Sequence, residues 1–177
     1  TCRDNHAEYH AVLAFDEITV HLISVHYPDS GEDQFPEASR AYLVEEISGI
    51  EKSGKEIVIA AAHTGMWIQK LEPVDQELVL DRADLLLGAT SHFYERYDYP
   101  DHQALFLNTG AAGYSLFNNY LQVNVLDNPL RLIVQNMPAE EERTLQAGGN
   151  CWVKEVGGLI EPCDFQNGKS WGMFGED

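Results

Sequence analysis

Four positions carry the side chains best suited to hold a cation or move a proton: Asn5, His6, His63 and His92. His63 directly follows Glu56–Ala62, a short continuous apolar run of the kind that forms a strand buried on both faces. In an α/β sheet, the carboxyl end of such a strand faces the crevice where ligands bind. A neutral imidazole placed there suits a borderline divalent metal, although a histidine at a strand end also serves as an ordinary structural residue. His92 lies in the stretch Gly88–Arg96, Gly-Ala-Thr-Ser-His-Phe-Tyr-Glu-Arg, after the acidic, leucine-rich run Asp81–Leu87 that reads as a buried strand. Asn5 and His6 stand between Asp4 and Glu8, and as a bare dipeptide they describe an exposed loop equally well.

The elements that must position these residues are legible from pattern. Tyr9–Asp16 and Ile18–Val25 are β-branched, apolar runs separated by Glu17, a tight hairpin. Residues 36–53 predict a helix: Pro36 opens it, Ala41, Leu43, Val44, Ile47 and Ile50 recur at helical spacing, and Gly54 ends it. Glu56–Ala62 is a strand, Pro73–Ala83 a second helix, and a further strand leads into Gly88. Ala104–Asn108 and Tyr120–Val125 read as strands, and Asp127-Asn128-Pro129 turns the chain into Leu130–Gln135. Helices and strands alternate in the middle with hairpins on either side, an α/β layered arrangement rather than an all-β sandwich. Beyond residue 136 the pattern fades, so residues 137–177 are expected to form an irregular extension rich in glycine and aromatics.

Taken together, the segments resemble the calcineurin-like metallophosphoesterases, especially their purple-acid-phosphatase branch. Asp4-Asn5-His6 with Glu8 is similar to the family's Gly-Asn-His-Asp/Glu, and Phe15–Val25 is similar to its core strands just beyond that loop. Thr64-Gly65-Met66-Trp67 after His63 resembles its His-x-Pro-Trp-Tyr turn, and His92-Phe93-Tyr94-Glu95-Arg96 its closing His-x-Tyr-Glu-Arg. The resemblance spans about Asp4–Gln135. It implies a layered α-β-β-α sandwich over residues 1–136, lacking the family's N-terminal strands. It also implies hydrolysis of small phosphate esters with iron, manganese or zinc. By that resemblance Asn5, through its side-chain carbonyl, and His63 ligate one metal and His92 the other. His6 stabilises or protonates the leaving oxygen, and His21 is a strand side chain rather than a ligand. The glycine-rich turn Asn108–Gly113 is no phosphate cradle by itself, because no helix or Lys-Ser/Thr follows it.

The resemblance is incomplete. Thr90 stands where the family has a first histidine in its last loop, and the family's Asp-x-His/Asp and Gly-Asp-x-x-Asp motifs, which lie ahead of Asn-His, have no counterpart. A two-metal site needs carboxylates to offset and bridge its ions, so neutral ligands at Asn5, His63 and His92 should hold metal weakly or not at all. Two functions remain open: a phosphoesterase chain completed by further sequence, or a non-catalytic assembly module on the same scaffold. Either leaves a sheet edge and apolar faces that call for a protein partner or a second copy. The aromatics Trp152, Phe165, Trp171 and Phe174 either serve that association or simply cover the sheet. Thr1 as an N-terminal nucleophile lacks the strand and oxyanion context such chemistry needs.

Composition bounds these readings. At 177 residues the chain is long enough for one domain with a real core. A formal charge of −18, with no basic cluster to offset it, argues against nucleic acid as a partner. No apolar run approaches the ~18–20 residues of a membrane span, so no membrane is expected. Cys2, Cys151 and Cys163 are an odd set; Cys151 and Cys163 either bridge in a secreted or periplasmic setting or stay free.

Overall fold

The computed structural model describes residues 8–26, 35–63, 66–89, 95–97, 99, 101–102, 104–108, 119–127, 129–138, 151–156 and 160–162. Among the described residues, ten strands form two sheets. The larger runs β1(Tyr9–Phe15), β2(Ile18–Val25), β3(Glu56–Ala62), β4(Leu85–Gly88), β6(Leu105–Asn108), β5(Glu95–Tyr97). Its four inner strands are parallel and both edges are antiparallel. The smaller sheet is an antiparallel meander, β7(Asn119–Leu126), β8(Arg131–Pro138), β9(Cys151–Glu155), β10(Ile160–Pro162). The mixed α/β expectation therefore holds.

Strand periodicity sorts the core into two layers. Ile23 and Val25, Val58, Ala60 and Ala62, Leu86 and Phe106 point to one face, where α1(Glu37–Ser48) and α2(Pro73–Arg82) pack. Val20, Ile57, Ile59, Leu85, Leu105 and Leu107 point to the other, against Leu130, Leu132, Val134, Leu121, Val123 and Trp152 of the meander. Arg96 lies 3.8 Å over the Trp152 ring, so this aromatic does cover the larger sheet.

The hairpin forms as expected, pairing Phe15 with Ile18 across Asp16-Glu17. Asp16 takes φ +52°, a left-handed turn that aspartate tolerates better than most residues. The helix expected to reach Ser53 stops at Ser48. Gly49 caps it, and the chain then runs extended so that Ile50 is buried and Lys52 reaches the buried Asp84 at 2.8 Å. That ion pair overrides the helical pattern. Gly54 instead supplies a φ of +93° for the turn into β3. Within α1 the buried residues are Ser39, Tyr42, Leu43 and Ile47, while Ala41 is exposed.

Three further corrections concern strands. Asp81 and Arg82 close α2, so the buried strand is Leu85–Gly88 alone. The stretch after residue 136 is not irregular throughout: β8 runs to Pro138, and β9 and β10 extend the meander. Three-residue β5 also escapes the sequence pattern, because its place is set by pairing with β6. Thr1, Cys2, Thr90, Cys163, Phe165, Trp171 and Phe174 lie outside the described residues. Among the described residues, no helix is long and apolar enough to cross a membrane.

Candidate functional site

Strand direction decides what meets at each end of the larger sheet. The parallel strands β3, β4 and β6 finish side by side, and their last residues lead to His63, Ala89 and Asn108. The Ala89 amide donates to the His63 carbonyl at 3.2 Å, tying the exits of β3 and β4 together. β1 runs the other way, with Tyr9 paired to Ser24 near the finish of β2, so Glu8 enters from this same end. Glu8 is buried and accepts a 2.5 Å hydrogen bond from the Ser39 hydroxyl in the first turn of α1. Positive dipole density at that turn favours a carboxylate there.

His63 itself is exposed, just past β3. Further on, the short helical turn Trp67–Lys70 is anchored by Trp67, fully buried, whose Nε1 donates to the Leu87 carbonyl at 2.8 Å. Its ring stands in a row with Phe35 and Phe106, at centroid distances of 6.1 and 6.2 Å, and Tyr97 meets Phe106 edge-on. The carboxyl end is thus a firm platform under an exposed imidazole. Asn5, His6 and His92 lie outside the described residues; the described neighbours that lead to them are Glu8 and Ala89. Asn108, at the finish of β6, is buried and donates from Nδ2 to the Tyr97 hydroxyl at 3.4 Å.

Two histidine clusters were not anticipated. In the first, His102 sits between two residues of α2, with Nδ1 2.9 Å from Asp81 and Nε2 3.5 Å from Glu77. These groups are close enough to share a cation. However, His102 precedes β6 and Asp81 closes α2, which puts them at the amino end of the parallel strands, away from His63. As arranged, each ring nitrogen faces a carboxylate, which pins the turn before β6 to α2. The i,i+4 spacing of Glu77 and Asp81 was readable from sequence; its partner, twenty-odd residues on, was not.

The second cluster lies on β1 and β2. His10 donates from Nδ1 to Glu46 of α1 at 2.5 Å, and its Nε2 is 3.0 Å from Nδ1 of His21. Burial lowers the His21 pKa below its ordinary value, the neighbouring His10 lowers it further, and Glu56 partly restores it. The register of the hairpin is what brings them together, since Val12 pairs with His21 and leaves His10 as its diagonal neighbour.

No family model matches the chain, and no curated protein matches it in sequence. Solved structures do match in shape. One is the purple acid phosphatase PPD1 from yellow lupin (Lupinus luteus) seeds, at a TM-score of 0.53 and 9% identity, covering 82% of this chain and 32% of that one. Another is GAP50, the anchor in the inner membrane complex of Plasmodium, at 0.56 and 8% identity, covering 91% of this chain and 56% of that one. The chain thus spans less than two thirds of either protein. At such identities the likeness shows the fold alone, a metallophosphoesterase-like one.

Proposed function

We propose that this chain belongs to a metal-dependent phosphoesterase-type hydrolase acting on phosphate esters. Its residues 1–136 would form most of an α-β-β-α sandwich, and the later strands would extend the second sheet. The observation that carries this reading is topological. The carboxyl end of a sheet with the fold of a purple acid phosphatase presents exposed His63, and Glu8 and Ala89, which lead to the other candidate residues, flank the same end.

On this reading Asn5 and His63 hold one cation, His92 holds a second, and His6 gives a proton to the leaving oxygen. Bound there, iron, manganese or zinc would supply the charge that a phosphoryl group needs and activate the attacking water. An amide and two imidazoles fit a borderline metal in type, but they bring no negative charge, so the fit is a weak one. The chain's own contribution is to set these donors on the platform built by Trp67 and to orient the ester.

A second reading, a non-catalytic assembly module, is favoured by a specific observation. β1 is an edge strand, and Tyr9, Val12, Leu13 and Phe15 are 42–58% exposed. Tyr9, Leu13 and Phe15 share the face of Val20 and Leu22, the side on which the meander packs, so further strands from a partner or a second copy would cover them.

One experiment separates the two. The chain is supplied with manganese, iron or zinc, alone and with a segment carrying the missing aspartate motifs, and assayed on a chromogenic phosphate ester while light scattering follows its mass. Hydrolysis above that of His92→Ala supports the enzyme. A stable oligomer showing no activity above that variant in either condition rejects it in favour of the module.

A further inference from the structure

We propose that His10 and His21 form a two-imidazole chelate for a borderline divalent cation of the zinc class, on the helix face of the hairpin, with Glu46 as the positioning residue. This site shares no residue with the phosphoesterase reading and stands independently of it.

The geometry is that of a chelate holding a proton in place of a metal. His10 Nδ1 is committed to the Glu46 carboxylate, so the neutral ring offers the lone pair of Nε2. That lone pair meets His21 Nδ1 at 3.0 Å, with the ring planes 37° apart. Two imidazole nitrogens bound to one zinc at about 2.0–2.1 Å stand roughly 3.3 Å apart at a tetrahedral angle. The pair therefore needs to open by a few tenths of an ångström and turn its rings, with the shared proton moving to His21 Nε2, to admit a cation. A carboxylate on the remote ring nitrogen of a metal-bound histidine is the usual device that sets ring orientation and raises its basicity, and Glu46 stands in that position.

The surroundings suit a cation too. The two rings line an open cleft of about 380 Å³ together with Glu45, Glu51 and Glu56, whose negative charge concentrates cations there. Glu56 is held in place by hydrogen bonds from the Ser53 hydroxyl at 2.8–2.9 Å and acts electrostatically on His21. Imidazole donors select zinc, nickel, copper or cobalt over magnesium and calcium. Binding moves the His21 proton from Nδ1 to Nε2, so the two neutral rings take the cation with no net proton release at neutral pH, and with release only below the pH at which they are protonated.

The test titrates the unmodified, metal-stripped chain with Zn²⁺, following heat, proton release and the imidazole ¹H–¹⁵N resonances. The expected result at neutral pH is that the His10 and His21 resonances shift together, with the His21 N–H moving from Nδ1 to Nε2 and little net proton release, and that excess Mg²⁺ does not compete. His21→Gln should lose that one equivalent, Glu46→Gln should bind 10–100-fold more weakly, and His63→Ala and His92→Ala should keep it. Resonances of His10 and His21 that stay unmoved at saturating Zn²⁺ overturn the proposal, and need no variant to fold. Loss of all zinc binding in His63→Ala overturns it as well, while supporting a centre at the carboxyl end; retention there with no phosphatase activity supports the chelate alone.

Discussion

The two ends of the parallel strands are built differently. The amino end is stitched with charge: Asp84, buried, accepts from Lys52 at 2.8 Å and from the Val58 amide at 2.9 Å. Arg82 donates to the Ile50 carbonyl, and Lys55 reaches Asp127 in the meander at 2.8 Å, which holds its ammonium pKa above the ordinary value. The carboxyl end is held by aromatic packing and by buried carboxylates at the first turns of the two helices, Glu8 on Ser39 and Asp75 on Arg40, and it presents the exposed His63. The difference is one of exposure: Asp84 seals the ion pairs of the amino end, whereas the carboxyl end presents an imidazole on its surface. Open α/β sheets place their ligand sites at that second end.

Substitutions can break this division or sharpen it. Asp84→Ala should have the largest effect, costing on the order of 3 kcal/mol in urea unfolding, because it strands Lys52 and the Val58 amide together. Asp84→Asn should recover part of that, since the amide oxygen still accepts from Val58. If Asp84→Ala unfolds like the parent chain, the amino end is not the anchor. At the other end, Trp67→Phe keeps an aromatic ring but loses the bond to Leu87 and some volume, an expected cost of about 1–2 kcal/mol.

The smallest effect is a slope with pH. His21 faces His10 from β1, Glu45 and Glu46 from α1, Glu51 from the following loop and Glu56 from β3. Its folded pKa lies below the ordinary 6.5, first because of burial and then because of His10. Between the two values the unfolded chain binds more protons, so stability present above about pH 6.5 is lost as pH falls toward the folded value. Unfolding measured in a chelator across this window should show a shallower pH dependence for His21→Gln than for the parent. Equal slopes would remove His21 as the titrating group.

How much of this was legible in advance depended on what each residue faces. Glu56–Ala62 matches the expected strand to the residue because burial on both faces removes polar side chains from it. The hairpin was readable because Glu17 alone separates its two apolar runs in the sequence, close to the two-residue turn Asp16-Glu17 that the strands close on. Helix α1 ran too long in the sequence reading because Lys52 and Asp84, thirty-two positions apart, decide where it ends. Strands β9 and β10 hold lysine, glutamate and proline and owe their existence to the strands beside them, β8 for β9 and β9 for β10. For the site, the strand-end position of His63 could be inferred from pattern. The encounter of His10 and His21 could not, because one-residue differences in register move a side chain to the opposite face.

The connectivity of the two sheets also orders events in time. Every contact between strands of the meander joins neighbours in the chain, so it closes short loops first. The parallel strands must wait for a helix or a longer connection to span each pair, and such distant pairings form slowly. The meander is thereby suited to act as the early template on which the slower layer, with the rim that carries His63, is laid down.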